Sequence, residues 1–446
     1  LHSQNDILAS GGVVNSLSVS LGVPFSENKI EEFYLEFYHS LKSDNSQFVK
    51  QVTIAVMLPL SGKEKDKGLA YLAGISEYMK TVFESTAIRF LIYDTEGSPI
   101  IVLENINKIL SNTSVKALLG PITKDEILSL SGLKSDLPIL IPKSYFSGLS
   151  EIAENLFFLS PSRNIIARRT AQIIIKEFQL NNIAVLSPGN GKEKIFTDYF
   201  LDECYQLGVD PIIVEWYIEK PENISRQLKN IRKKAWGLLE KGKEEKLDFN
   251  LKIDSLDALF DVDVSDFFAL PPTEEDEMSK DDSNKVILET IEALFIPIRK
   301  EELTYIGRQL PFYNLNTTLF GNENWLEMPL LNQEVIGPHV SGMKILSDVN
   351  SALSINNHDL FLNYFTLAGE HVRFIQTIIK EGIIKRRQIL NQLKNNNGYY
   401  GENTSLIFSG KNNNENGSVQ VLEYEHKRLK KIGIYDGESM IETKNE

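Results

Sequence analysis

Seven short apolar segments recur along the chain, and this rhythm constrains the fold more than any other feature of the sequence. They are VTIAVMLPL (52–60), IRFLIYD (88–94), VKALLGP (115–121), LPILIP (137–142), NIAVLSP (182–188), PIIVEWY (211–217) and ALFIPI (293–298). Amphipathic stretches of helical length separate most of them, such as IVLENINKILSN and IIARRTAQIIIKEFQL. Strands that are apolar on both faces and alternate with helices are typical of an α/β fold with parallel sheets covered on both sides. An antiparallel sandwich would need period-two alternation and short turns, which the sequence lacks.

Three regions depart from this rhythm. Residues 1–51 combine a small, polar stretch with a helical pattern and predict an N-terminal arm or the remnant of a preceding domain. Residues 238–288 are rich in acidic residues and predict an inserted, partly disordered loop. Its DVDVSD run lacks the glycine and terminal glutamate of a calcium-binding loop, so a solvated acidic loop is favoured over a metal site. In the tail, SLIFSG and SVQVLEYE flank an Asn/Gly-rich turn and predict a β-hairpin.

Composition narrows the class of protein. The 446 residues are enough for more than one compact lobe. A formal charge of −14 disfavours nonspecific binding to nucleic acid or to an anionic membrane surface. No window offers about 18 uninterrupted apolar residues, so the sequence predicts no transmembrane helix. Cys204 is the only cysteine, which excludes an internal disulfide and a cysteine-based zinc cluster. Because the chain begins at Leu1 rather than Met, we expect a processed or trimmed product, and any signal or lipid-anchor segment would lie upstream.

Candidate ligand-binding residues follow the predicted strands. In open parallel sheets, ligands bind outside the carboxyl ends of the strands, where free N–H groups at helix starts favour anions. This rule selects Ser61, Gly62, Lys63, Thr123, Lys124, Ser144, Tyr145, Gly189, Asn190 and the segment from Arg299 to Glu302. Each residue also has a structural interpretation, because Ser and Thr often cap helices and glycines often only turn the chain.

The sequence contains no established catalytic motif. A phosphate-cradling GxxxxGK[ST], a zinc-binding HExxH and a GxSxG nucleophile elbow are all missing, and GNG is too short for a dinucleotide fingerprint. We therefore expect a protein that is not an enzyme and that uses no cofactor or metal. A nucleotide-using α/β enzyme, such as a glycosyltransferase, remains an alternative without a visible acid/base pair.

The order of several motifs resembles a known family. IAVMLPLSG opens the body, LLGPIT and LPILIP follow, and FFLSPSRNIIARRTAQII occupies a crossover position. Later come NNIAVLSPGNGKEKIF, IEALFIPIRKEELTYIGRQL, LFGNENW and GYYGENTSLIFSG. Over residues 52–434, this order resembles the type I periplasmic binding fold and, more narrowly, the leucine-binding-protein family of ABC-transporter receptors. ALFIPI, IGRQLPFYNL and LFGNENW look closest to the branch of penicillin-binding-protein activators.

The resemblance implies two Rossmann-like (flavodoxin-like) lobes joined by three crossovers, with a ligand closing the cleft between them. Lobe one would comprise 52–162 and 346–395, lobe two 163–345 and 396–434, and residues 435–446 would form a tail. In amino-acid receptors of this family, hydroxyls and amides of lobe one hold the ligand carboxylate, and an acid of lobe two takes its ammonium group. By position, the lobe-one contacts fall near Ser61, Thr123, Lys124, Ser144 and Tyr145, and the lobe-two acid falls on Glu302.

The chain departs from the family pattern at several of these positions. Lys63 replaces a common proline, Lys124 replaces a frequent serine, and Lys143 adds a third cation. The usual YDA of a late helix is replaced by GEHV (369–372). If the three lysines face the cleft, they form a cationic rim suited to a ligand more negative than a free amino acid; otherwise they are solvated surface residues.

Two functions follow as expectations. The first is a periplasmic solute-binding module that captures a small polar ligand, amino-acid-like or anionic, by hinge closure, with an ABC-transporter permease as partner. The second is an envelope scaffold of the penicillin-binding-protein-activator type, which binds a cell-wall synthase and needs no small ligand. Both imply a location in the periplasm or cell envelope.

Overall fold

The computed structural model describes residues 52–82, 88–146, 148–218, 221, 224–247, 286–348, 360–379, 385–396, 398–401 and 404–442. The predicted N-terminal arm, residues 1–51, lies outside these ranges. So does most of the predicted acidic insertion, residues 248–285. A long helix, Ser225–Leu247, extends into the start of that predicted insertion.

Backbone contacts divide the chain into two compact units. Unit 1 comprises Leu1–Arg169, Ser347–Val421 and Lys431–Glu446, and unit 2 comprises Thr170–Leu346 and Leu422–Lys430. The lobe boundaries expected from the resemblance remain a prediction.

The strands are short and mostly buried. In chain order they are β1 Val52–Leu58, β2 Ile88–Asp94, β3 Val115–Leu119, β4 Ile139–Ile141, β5 Leu156–Phe158, β6 Ile183–Pro188, β7 Ile213–Tyr217, β8 Ala293–Ile296, β9 Thr318–Gly321, β10 Met343–Ser347, β11 Tyr399–Tyr400, β12 Ser405–Leu406, β13 Phe408–Ser409, β14 Glu415–Asn416, β15 Val419–Glu425, β16 Arg428–Tyr435 and β17 Met440–Glu442. All seven predicted strands are present; β2 has the predicted bounds, and the other six are shorter by one to three residues.

Helices follow most of the parallel strands. They are α1 Lys65–Val82, α2 Pro99–Ser111, α3 Lys124–Ser129, α4 Leu149–Ile152, α5 Arg163–Gln172, α6 Gly191–Gln206, α7 Ser225–Leu247, α8 Leu303–Gln309, α9 Met328–Leu331, α10 Leu360–Ile379 and α11 Arg386–Lys394. A π-helical turn, Ile173–Glu177, continues α5, and short 3₁₀ turns lie at Lys300–Glu302, Leu310–Tyr313, Glu323–Trp325 and Gly337–Val340.

The two sheets repeat one topology. In the first sheet the order β2-β1-β3-β4-β5 is parallel throughout, and in the second the order β7-β6-β8-β9-β10 reproduces it. This is the flavodoxin-like doubly wound order. The first sheet continues beyond β5 with β14 and β13, and the second continues beyond β10 with β15, β16 and β17. The predicted α/β class with parallel sheets is confirmed.

Strand β1 is buried on both of its faces. Ile54, Val56 and Leu58 pack in a cluster with residues of α1, α10 and α11. Ala55 and Met57 pack on the opposite face with residues of α2 and α3. Successive side chains of a strand point to opposite faces, so a strand covered by helices on both sides must be apolar at every position.

Helices α1 and α10 approach each other closely in unit 1. A Cβ atom added to Gly74 of α1 would lie 2.0 Å from the carbonyl oxygen of Phe365, so only glycine fits there. Beside this contact, the Tyr71 hydroxyl lies 2.7 Å from Nδ1 of His371, and both side chains are fully buried. His371 is therefore part of the packing between the two helices.

The predicted hairpin in the tail is wrong in its pairing. The Asn/Gly-rich turn does connect antiparallel strands, but these are β13 and β14, and β14 pairs with β5. SVQVLEYE forms β15 in the other sheet, beside β10 and β16. A two-residue turn with positive φ at His426 and Lys427 joins β15 to β16, which is the geometry of a tight hairpin.

Candidate functional site

Most of the sequence-predicted residues follow the strands that flank the point in each sheet where the strand order reverses; Ser144 and Tyr145 follow the next strand along. In unit 1, Ser61, Gly62 and Lys63 follow β1, Thr123 and Lys124 follow β3, and Ser144 and Tyr145 follow β4. In unit 2, Gly189 and Asn190 follow β6 and Glu302 follows β8. The reversal lies between β1 and β3 in the first sheet and between β6 and β8 in the second. In open α/β sheets, ligands bind at such switch points.

Asp94, at the end of β2, organises the loop after β1. Its carboxylate accepts hydrogen bonds from the Ser61 hydroxyl at 2.7 Å and from the backbone N–H groups of Leu60 and Glu96 at 2.9 Å each. Gly62 has a φ of 76°, and a Cβ there would lie 2.5 Å from the carbonyl oxygen of Glu96. The Ser61 proton is thus used inside the loop, which leaves its oxygen as an acceptor.

Thr123 caps helix α3 together with Glu126. The Thr123 N–H and hydroxyl both donate to Oε2 of Glu126, at 3.1 and 2.6 Å. Glu126 is fully buried, and its Oε1 has no hydrogen-bond partner among the described residues. The T-x-x-E spacing of a capping box is the sequence signal for this pair. The next residue, Lys124, is exposed, and its Nζ lies 5.2 Å from the ring centre of Phe146.

The loop after β4 is tied to the loop after β3. The Ser144 N–H donates to Oγ of Ser160 at 2.8 Å, and the Tyr145 hydroxyl donates to the carbonyl oxygen of Ile122 at 3.3 Å. The Ser144 hydroxyl oxygen is buried and has no partner in the part of unit 1 that the structure describes. The loops after β3 and β4 therefore present one connected surface in unit 1.

Three lysines belong to these loops of unit 1. Lys63 and Lys124 are exposed, and Lys143 is half-buried with its Nζ 5.2 Å from the ring centre of Tyr364. None of the three forms an ion pair with a described residue. In the part of the chain that the structure describes, none of the three ammonium groups therefore has a carboxylate within ion-pair distance.

In unit 2, Glu302 is almost fully buried and both of its carboxylate oxygens have partners. Oε2 accepts hydrogen bonds from the Tyr217 hydroxyl and from the Arg299 backbone N–H, both at 2.8 Å. Oε1 is 2.6 Å from Nη1 of the Arg299 guanidinium. Burial, and then the charge of Glu302, raise the pKa of Tyr217 well above its usual range, so the phenol stays a donor.

Arg299 and Tyr217 bring the three predicted residues of unit 2 together. The Arg299 guanidinium donates to Oδ1 of Asn190 as well as to Glu302. The Gly189 N–H donates to the carbonyl oxygen of Tyr217 at 2.6 Å. Tyr217 was not predicted as a site residue, because its position at the end of an apolar strand does not indicate that its hydroxyl will contact Glu302.

Metal and nucleophile chemistry find little support in the described residues. Within those ranges, no group of three or more His, Cys, Asp or Glu side chains could hold a metal ion. Cys204 is buried, and burial raises the pKa of its thiol to about 12, which keeps it protonated. Among the helices described, none is long and apolar enough to cross a membrane. The expectation that the residues of the two units line one cleft stays a prediction.

No family model matches this sequence, and no curated protein matches it. Solved structures do resemble the fold. A putative branched-chain amino acid ABC transporter protein from Rhodospirillum rubrum has a TM-score of 0.63 at 11% identity, covering 86% of this chain and 100% of its own. An ABC transporter substrate-binding protein from Sphaerobacter thermophilus has a TM-score of 0.53 at 12% identity, covering 86% of this chain and 98% of its own.

Full-length LpoA from Haemophilus influenzae has the same fold over part of its length. Its TM-score is 0.52 at 14% identity, and the match covers 87% of this chain but 60% of LpoA. At such identities a likeness shows the fold and leaves function open. The chain thus has the type I periplasmic binding fold, as its sequence motifs predicted.

Proposed function

We propose that this protein is a non-enzymatic binding module that takes a small anionic ligand, without a free ammonium group, at the strand-end loops. One observation carries the choice of ligand class. Glu302, the acid expected to receive an ammonium group, is buried against the Arg299 guanidinium and the Tyr217 hydroxyl. A ligand ammonium group could pair with Glu302 only by displacing the Arg299 guanidinium, which already forms a charge-assisted hydrogen bond with it.

The charges of unit 1 support the same ligand class. Lys63, Lys124 and Lys143 follow β1, β3 and β4, where ligands of doubly wound sheets bind. Their charges oppose the overall −14 of the chain, and a local cationic patch attracts anions despite a negative net charge. A second carboxylate or a phosphate on the ligand would be the natural counter-charge.

The fold fits a protein of the cell envelope that delivers its ligand to a transporter. Substrate-binding proteins of ABC transporters share this fold, and we propose a permease as partner and the periplasm as location. In this account, ligand binding favours one conformation through contacts made only there.

Thermal unfolding in the presence of candidate ligands tests the proposal. The panel contains amino acids, small dicarboxylates, peptidoglycan fragments and sugar nucleotides. A ligand at about 100 times its Kd should stabilise the folded protein by about 2.7 kcal/mol. We expect stabilisation by a dicarboxylate or another polyanion and none by a zwitterionic amino acid. Stabilisation by the amino acid alone would contradict the proposed ligand class.

A pair of lysine variants links the stabilisation to the loops. The variant K63Q/K124Q removes the two exposed cations and should abolish most of the shift. The matched control K134Q/K411Q removes two exposed lysines of unit 1 that lie away from the predicted loops and should keep it. Lys143 is left unchanged, because it is half-buried beside Tyr364.

A second candidate function is an envelope scaffold like the penicillin-binding-protein activators. The observation that favours it is that the Ser61 and Thr123 hydroxyl protons are already donated to Asp94 and Glu126. A site whose donors are internally bonded has less to offer a ligand. No shift with any compound of the panel, together with capture of a purified cell-wall synthase, would favour this candidate.

A further inference from the structure

Helix α7 of unit 2 carries a basic stripe. Between Ser225 and Ala235 the sequence SRQLKNIRKKA has five cations and no acid. Arg232 is half-buried, and its guanidinium donates to the carbonyl oxygen of Val286 at 2.8 Å. The remaining four are exposed, and none of them forms an ion pair with a described residue; they are Arg226, Lys229, Lys233 and Lys234.

The neighbouring strand, β7, has an open edge. It is the last strand of its sheet and pairs only with β6 among the described strands. The Tyr217 carbonyl oxygen accepts a hydrogen bond from the Gly189 N–H, directly after β6, at 2.6 Å, so the odd-numbered residues of β7 bond to β6. Since alternate residues of a strand bond to opposite neighbours, the N–H and C=O groups of Val214 and the N–H of Trp216 point to the free edge. The Trp216 carbonyl oxygen already accepts a hydrogen bond from Nε2 of Gln227 at 3.2 Å. Such an edge is a template for another extended chain.

A groove runs between this edge and the basic stripe. It is lined by Ile213, Glu215, Asn230, Lys233, Lys234, Gly237 and Leu238. The Glu215 carboxylate accepts a hydrogen bond from Nδ2 of Asn230 at 3.0 Å. A Cβ added to Gly237 would meet no atom within 4 Å, so the groove is open at this point of the helix.

We propose that this groove binds an extended acidic segment of a partner protein, which adds to β7 as a further strand. Its backbone would pair with the N–H and C=O groups of Val214 and with the N–H of Trp216, and its carboxylates would lie on the side of Lys233 and Lys234. An apolar side chain between the acids would contact Ile213 and Leu238. In strand addition, main-chain hydrogen bonds supply affinity and side-chain pockets supply specificity.

Charge and geometry together favour a peptide over other anionic partners. A nucleic acid or an anionic membrane would use the lysines alone, against a chain charge of −14. An extended peptide also uses the free edge and the apolar part of the groove. The proposal is independent of the ligand class proposed for the strand-end loops, because none of the residues that line the groove is among the predicted loop residues or the partners of Glu302.

Fluorescence anisotropy with the full chain tests the proposal. The probe is a fluorescein-labelled peptide of about eight residues in which Glu and Val alternate, a pattern that favours an extended strand with one acidic face. We expect binding that weakens about tenfold between about 50 and 300 mM salt, because exposed charges are screened over that range. The same peptide, N-methylated at alternate residues, loses its edge donors and should bind at least tenfold more weakly.

Two pairs of variants locate the binding. K233E/K234E should weaken binding at least tenfold, whereas K134E/K411E, with the same charge change at exposed lysines of unit 1, should leave it within twofold. G237L fills the groove and should abolish binding, and leucine is a better helix former than glycine, so the fold is kept. G132L, at an exposed glycine where an added Cβ also meets no atom within 4 Å, is its control.

Three results would overturn the proposal. Equal binding of the N-methylated peptide would mean that only charge is recognised, as for a polyanion. Absence of binding up to about 1 mM peptide at low salt would exclude an acidic strand as occupant. Self-association of the chain that G237L abolishes, seen by light scattering, would assign the groove to a second copy.

Discussion

At the scale of single residues, Glu302 shows how one buried charge limits what a site can bind. Its carboxylate faces the Arg299 guanidinium on one oxygen and the Tyr217 hydroxyl on the other. A buried carboxylate needs such partners, because an unpaired charge in the interior costs several kcal/mol. Once both oxygens are occupied, the residue stabilises unit 2 and no longer offers a free anion to a ligand.

The Glu302→Gln variant tests this structural role. Removing the carboxylate charge leaves Arg299 without its ion-pair partner, and we expect a loss of about 1–3 kcal/mol in the free energy of unfolding. This expected loss in the free energy of unfolding is smaller than for a fully buried ion pair, because the Arg299 side chain is 24% exposed. Urea denaturation measures the loss. Glu301→Gln, at the exposed neighbour, is the control and should change stability by less than about 0.5 kcal/mol.

His371 predicts a dependence of stability on pH. Burial, and then the charge of Lys143, lower the pKa of His371 to about 3, from an ordinary value of about 6.5. Between these two values the unfolded chain binds a proton that the folded protein does not, so stability falls as the pH falls from about 6.5 towards 3. His371→Gln cannot be protonated, and the stability gap between wild type and this variant should narrow as the pH is lowered.

Urea denaturation at pH 7, 5 and 4 measures this gap. His339→Gln, at an exposed histidine, serves as the matched control. A gap for His371→Gln that stays constant or widens towards pH 4 would contradict the assignment.

At the scale of elements, the strands in long apolar segments could be predicted from the sequence, whereas the pairing of the tail strands could not. The seven predicted strands are long apolar runs such as β1, which is buried on both faces. β5, β9 and β10 were not predicted, because no apolar segment of six or more residues contains them. β4 and β8 are equally short but lie in the longer segments LPILIP and ALFIPI. The prediction of the tail hairpin was wrong because the pattern of β15 indicates a strand but does not indicate which of the two sheets the strand joins. Among the site residues, the positions after strands followed from topology, whereas the partners Asp94 and Tyr217 depended on contacts between distant segments.

The packing of α1 against α10 gives a prediction at this scale. Gly74→Ala would bring a Cβ within 2.0 Å of the Phe365 carbonyl oxygen, so the two helices must separate. We expect a loss of about 2 kcal/mol or more in the free energy of unfolding. Gly369→Ala, in α10, places a methyl group where no atom lies within 4 Å, and the better helix propensity of alanine should stabilise by up to about 1 kcal/mol. Urea denaturation compares the two, and equal effects would contradict the described packing.

At the scale of the whole molecule, two units of the same strand order present their strand-end loops as the candidate binding surfaces. The fold could be predicted from the order of the motifs, and solved structures with TM-scores of 0.63 and 0.53 confirm it at 11% and 12% identity. The ligand class could not be predicted from the sequence, because ligand recognition depends on which polar groups of the loops have no partner within the protein. Lys63 and Lys124 are exposed, whereas the Glu302 carboxylate is buried and hydrogen-bonded to Arg299 and Tyr217.

Hydrogen–deuterium exchange on the full chain, with and without the most stabilising polyanion of the ligand panel, tests the central claim most directly. The account predicts slower exchange in the loops after β1, β3 and β4, around Ser61–Lys63, Thr123–Lys124 and Lys143–Tyr145, and unchanged exchange in α7. Protection confined to α7 and β7, with these loops unaffected, would contradict it.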